Sequence, residues 1–95
     1  MSQPPFRITR VSNRTRKFIA KRDRKTQKEI AAAFDFLCAV SPFHHPNPKT
    51  IRRLHGELEG LWRYRLANIR IIYGIDEDTR SIEIVSIDDR GDVYK

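Results

Sequence analysis

The stretch Leu61-Trp62-Arg63-Tyr64-Arg65-Leu66-Ala67-Asn68-Ile69-Arg70-Ile71-Ile72-Tyr73 decides the fold of this 95-residue chain. Trp62, Tyr64 and Leu66 alternate with Arg63 and Arg65; Ile69, Ile71, Tyr73 and Ile75 alternate with Arg70, Ile72 and Gly74. A period of two is the mark of a half-buried strand. Ala67-Asn68 reads as a two-residue hairpin turn, with Asn tolerant of positive φ. If Trp62, Tyr64, Tyr73 and the isoleucines in their phase face a core, Arg63, Arg65 and Arg70 project from the opposite face. Neighbouring strands lie ~4.8 Å apart, so these guanidinium groups share one surface. Cations so crowded repel one another unless an anion sits among them. That anion is either external or one of Glu83, Asp88 and Asp89.

Outward from this hairpin, Phe6 to Val11 alternates and is predicted as a strand. Ser12 or Asn13 is placed to cap a short basic helix over Asn13 to Lys21, whose apolar face is Phe18 and Ile19. Asp23 to Ala39 is the stronger helix, with Ile30, Phe34 and Leu37 at i, i+4, i+7 and Ala33 and Cys38 beside them. Either Asp23 caps it or Thr26 to Glu29 forms a capping box. Ser41 to Lys49 holds Pro42, Pro46 and Pro48 and reads as a loop. Asp76 to Arg80 is a polar turn, and Ser81 to Ile87 a β-branched strand. The order is β-α-α-β-β-β. Helices followed by strands imply an α+β fold: residues 1–95 form a small single domain, with two N-terminal helices packed on one face of a largely antiparallel sheet.

Composition removes several classes. Hydrophobic residues make up 39% of the chain, too many for a disordered polyelectrolyte. No apolar run approaches the ~20 residues that span a bilayer. The N-terminal residues lack the apolar segment of a secretory signal. A lone Cys38 excludes a disulfide framework and a four-cysteine zinc site. A cytoplasmic protein with no membrane partner is the expectation.

The net charge is +7, but residues 1–50 carry +8 and residues 51–95 carry −1. The densest run includes Arg14, Lys17, Lys21, Arg24, Lys25 and Lys28, a field suited to nucleic acid or to an acidic protein. Metal binding is not expected. His44-His45 lacks the i, i+4 spacing of helical metal ligands and reads, with His55, as loop. Cys38 lies in phase with the apolar helix face and reads as a packing residue. Gly56 and Gly60 are turn residues, and no phosphate-loop motif is present.

The segment Leu54-His55-Gly56-Glu57-Leu58-Glu59-Gly60 leading into Leu61 to Tyr73 resembles the RelE branch of the RelE/ParE toxin superfamily. The closing Ile87-Asp88-Asp89-Arg90-Gly91-Asp92-Val93-Tyr94 resembles that family's Arg-x-x-x-Tyr ending. The resemblance extends over the helical pair and the Pro-rich loop. It implies the toxin of a type II toxin–antitoxin system, a ribosome-dependent endoribonuclease that cleaves message in the A site without metal or other cofactor. The 2′-hydroxyl of one nucleotide attacks its own 3′-phosphate, leaving a 2′,3′-cyclic phosphate and a 5′-hydroxyl. The implied partners are the ribosome, messenger RNA and a cognate antitoxin that wraps the toxin with acidic and hydrophobic segments. Operator DNA is reached only through that antitoxin.

Arg63 and Arg65 match the family's alternating basic positions, Arg70 the arginine of the next strand, and Arg90 and Tyr94 the ending. By this resemblance Arg70 holds the scissile phosphate, since a guanidinium grips two oxygens at once. Arg90 protonates the leaving group or stabilises transition-state charge. Tyr94 is a base or a stacking platform. Arg63 and Arg65 supply field and backbone contacts. Asp89 stands where many relatives carry His. Two further readings are a ParE-like gyrase inhibitor and a non-catalytic basic module that binds RNA or antitoxin.

Overall fold

The computed structural model describes residues 5–89. Its elements are β1 (Arg7–Val11), α1 (Asn13–Ala20), α2 (Arg24–Ala39), β2 (Ile51–Arg53), a 3-10 turn (Gly56–Leu58), β3 (Leu61–Leu66), β4 (Ile69–Asp76) and β5 (Ser81–Asp88). Capping settles the helix starts. The Ser12 hydroxyl accepts from the Thr15 amide at 3.2 Å, and the Asp23 carboxylate accepts from the Thr26 amide at 3.1 Å. Hydrogen bonds from Thr26 also hold the Asp23 carboxyl below its usual range. The capping box at Thr26 is therefore not used.

The five strands run β1-β5-β4-β3-β2. All neighbours are antiparallel except β1 and β5, which pair in parallel. The sheet is thus mixed, and the expected fold is correct in outline. The short β2 lies in a segment without detectable period, because three residues are too few to show one. It pairs with β3, where buried Ile51 lies opposite Tyr64.

Both helices cover one face of the sheet, α1 against β5 and α2 against β1 and β3. Leu37, Ile71, Tyr73, Ile82, Ile84 and Ile30 fill the core between the layers. Thr15 is the one polar residue among the described residues buried there, with its hydroxyl 2.7 Å from that of Ser12. The loop after α2 is tied to the core rather than loose. The Tyr73 hydroxyl donates to the carbonyl of buried Pro42 at 2.7 Å, and Phe43 packs edge-on against Phe6 and Trp62.

Two irregularities matter for the site. The register of β4 against β5 shifts between Ile72 and Tyr73, opposite Ser86 and Ile84. Val85 is the extra residue of this bulge, and a bulge reverses which face later residues point to. Ile82, Ile84 and Ile87 all reach the core as a result, whereas strict alternation from Ile82 would have turned Ile87 outward.

The second irregularity is the hairpin turn. Leu66 pairs with Ile69, so Ala67-Asn68 is the expected two-residue connection. The residue with positive φ is Ala67, at 55°, and not Asn68. A Cβ in that region costs on the order of 1 kcal/mol. Ala67→Gly is therefore expected to stabilise the protein by about 1 kcal/mol, raising the thermal midpoint by about 4–8 °C for a domain of this size. Calorimetry on the two proteins checks this; an unchanged or lowered midpoint contradicts it.

Candidate nucleic-acid interface

The β3–β4 register places Arg65 directly opposite Arg70, and Arg63 opposite Ile72. All three arginines lie on the sheet face away from the helices, as the alternation predicts. β2 adds a fourth, because Arg52 pairs with Arg63. Arg52 was not legible as a site residue: its partner is defined only by strand pairing across the Gly56–Gly60 turn. Four guanidinium groups thus occupy adjoining positions on three strands.

Their environment is unfavourable to one another. Partial burial, then the charges of Arg52, Arg65 and Arg70, push the Arg63 guanidinium below its ordinary value. Arg63 donates from Nη2 to the Lys49 carbonyl at 2.7 Å, while its buried Nε has no hydrogen-bond partner among the described residues. Arg65 is exposed, with a long 3.5 Å contact from Nε to the Ala67 carbonyl. Arg70 is partly buried, and its Nη2 lies 3.4 Å from Asp88 Oδ1. Ile72, in register between Arg63 and Ser86, gives this face a buried apolar floor.

The carboxylates expected to neutralise these arginines divide. Asp88 faces them, in register with Arg70. Asp89 turns to the helix side and pairs with Arg22 at 3.2 Å; the Arg22 guanidinium also lies 4.3 Å over the Phe18 ring. Glu83 sits farther along β5, opposite Gly74 on one side and Arg10 on the other. One carboxylate therefore faces the cluster from close range among the described residues.

The second basic surface is only partly gathered. Arg14 and Lys17 of α1, with Lys21 at its C-cap, line a groove of about 580 Å³ against Ser86–Asp89 at the end of β5. Arg24, Lys25 and Lys28 of α2 are exposed and lie outside that groove. Arg90 and Tyr94 lie outside the described residues.

The remaining chemistry-bearing residues have structural places. The His45 ring lies 4.7 Å from Phe36 and edge-on to Tyr64, and its Nδ1 accepts from the Asn47 amide. Burial pushes the Cys38 thiol up, away from the thiolate a nucleophile needs. Burial also raises the phenols of Tyr64 and Tyr73, which hold core positions. No three or more His, Cys, Asp or Glu side chains gather among the described residues. No helix among them is long and apolar enough to cross a membrane.

An arginine cluster of this kind is a preformed anion site. Inorganic phosphate at ten times its dissociation constant is expected to stabilise the protein by about 1.4 kcal/mol over chloride of equal ionic strength. Arg63→Ala with Arg65→Ala is expected to abolish that increment, read as a shift in thermal midpoint. An increment unchanged in the double variant would place the anion elsewhere.

Residues 9–94 match the family described as the ParE toxin of type II toxin–antitoxin system, parDE. No curated protein matches the chain. Solved structures that share its fold include three complexes. The RelBE2 toxin–antitoxin complex from Mycobacterium tuberculosis is 22% identical with a TM-score of 0.71, covering 96% of this chain and 97% of that one. The archaeal RelE–RelB complex from Pyrococcus horikoshii is 23% identical with a TM-score of 0.73, covering 92% and 97%. The YoeB–YefM complex from Staphylococcus aureus is 18% identical with a TM-score of 0.68, covering 84% and 93%.

Proposed function

The chain belongs to the ParE toxin family of type II toxin–antitoxin systems, within the RelE/ParE superfamily, and from that premise we propose that it is a metal-independent endoribonuclease. It cleaves messenger RNA in the ribosomal A site and so inhibits translation in the cytoplasm. The observation that carries this reading is the solvent-facing cluster of Arg52, Arg63, Arg65 and Arg70 on the central strands. Phosphoryl transfer asks for cations where charge builds on the phosphate, held in place before the reaction begins. Arg70 is assigned to the scissile phosphate, where a planar guanidinium binds two oxygens. Arg63 and Arg65 supply field and backbone contacts, with Arg52 extending the track. Arg90 and Tyr94 keep the roles that the family resemblance gives them.

Arg14, Lys17 and Lys21 form a separate attraction surface on α1 for ribosomal RNA or for an acidic partner. Arg24, Lys25 and Lys28 extend that field along α2. The partner in the resting cell is a cognate antitoxin. The structural relatives in M. tuberculosis, P. horikoshii and S. aureus were each solved as a complex with a second protein.

A second reading follows from the family description, which names ParE: inhibition of DNA gyrase. Inducible expression with mapping of message 5′ ends separates the two. Cleavage within translated codons is expected for wild type. Arg70→Ala and Arg90→Ala are each expected to reduce it by about 10²–10³-fold, as for loss of one preorganised charge donor. Intact messages with blocked supercoiling would establish the gyrase reading instead. Harmless expression with salt-dependent RNA binding would leave a binding module.

A further inference from the structure

The endoribonuclease reading leaves one role without a described residue, the group that takes the proton from the attacking 2′-hydroxyl. Arginine cannot serve, because its guanidinium stays protonated in proteins. That excludes Arg52, Arg63, Arg65 and Arg70. An unperturbed tyrosine, with a pKa of about 10, is a poor acceptor at neutral pH.

β5 ends on two adjacent carboxylates with opposite surroundings. The bulge at Val85 turns Ser86 and Asp88 to the arginine face and Ile87 and Asp89 to the helix face. Asp89 is committed to Arg22 at 3.2 Å. Asp88 is about one-third exposed, and its Oδ1 lies 3.4 Å from Arg70 Nη2. Arg65 stands across the hairpin from Arg70, and Arg14, Lys17 and Lys21 line the groove that Asp88 borders. The carboxylate therefore sits where the sheet cluster meets the basic groove of α1.

We propose that Asp88 is the general base of the cleavage, which leaves Tyr94 the stacking role; the proposal rests on the endoribonuclease reading. A phosphate bound to Arg70 brings its vicinal 2′-hydroxyl alongside the carboxylate on the same guanidinium. Asp88 takes the hydroxyl proton. The 2′-oxygen forms a bond to the 3′-phosphorus, the bond from phosphorus to the 5′-oxygen breaks, and the departing oxygen takes a proton from water. The products are a 2′,3′-cyclic phosphate and a 5′-hydroxyl, and protonated Asp88 returns its proton to water. The pair with Arg70 also orients the carboxylate before substrate arrives.

The test measures single-turnover cleavage of message on programmed ribosomes, together with affinity for the same complex. Asp88→Asn is expected to slow cleavage by about 10²–10⁴-fold, the usual size of a lost general base, with affinity equal or tighter. Asp88→Glu, which keeps a carboxylate, is expected to recover at least tenfold over Asp88→Asn. Glu83→Gln, at the other end of the same face, is expected to cleave at the wild-type rate. A message with sulfur in place of the scissile 5′-oxygen leaves without acid assistance, so the Asp88→Asn deficit is expected to persist on it. Cleavage by Asp88→Asn at the wild-type rate would overturn the proposal and mark Asp88 as a neutralising charge. A deficit that vanishes on the sulfur substrate would overturn it too, by moving Asp88 to the leaving group. No cleavage by wild type would overturn the endoribonuclease reading itself.

Discussion

A slip of one residue between β3 and β4 would carry Arg63, Arg65 and Arg70 toward the core and expose Tyr64, Ile71 and Tyr73. The rest of the structure depends on that register. It is held at one end by the turn at Ala67-Asn68, and along its length by residues that are wholly buried on one side. Ile71 and Tyr73 meet the helices, and the Tyr73 hydroxyl reaches through the core to anchor the Pro42 carbonyl. The hydrophobic effect thus fixes strand phase, and strand phase fixes the arginines. The arginines themselves oppose their assembly, since like charges opposite one another in a sheet are destabilising. The core supplies the stability that the site consumes.

That opposition has a functional form. Strand pairing, itself fixed by packing elsewhere, places the four arginines on one face before any anion arrives. Among the described residues, polar contacts lessen the repulsion at Arg63 and Arg70. Arg63 is tied to the Lys49 carbonyl, Arg70 has Asp88 at 3.4 Å, and Arg65 keeps its guanidinium toward solvent. Of the two carboxylates at the end of β5, Asp88 faces the cluster and Asp89 is turned away from it.

The sequence made the hairpin, both helices and three of the four face arginines legible, because each rests on a periodicity longer than its own exceptions. Trp62 to Tyr73 shows period two, and Ile30 to Leu37 shows the helical spacing. What stayed hidden was short or irregular. β2 has three residues, and Arg52 becomes part of the site only through its pairing with Arg63. Ala67 carries the positive φ that side-chain preference assigned to Asn68, because strand register dictates the turn and the residue complies. The ending Arg90 to Tyr94 rests on family resemblance and lies outside the described residues.

The bulge at Val85 shows the same logic at its sharpest. Continued alternation from Ile82 would place Asp89 among the arginines and Asp88 beneath the helices. Ile87 decides against this. Burying its side chain beside Ile71 is worth about 1.5–3 kcal/mol, and the chain gains it by inserting one extra residue into β5. The phase then reverses for every residue that follows. Asp88 comes out beside Arg70, and Asp89 goes to Arg22. A packing preference of one isoleucine thus selects which of two adjacent carboxylates enters the cationic face. The bulge therefore sets both the charge of that face and the identity of its nearest proton acceptor among the described residues.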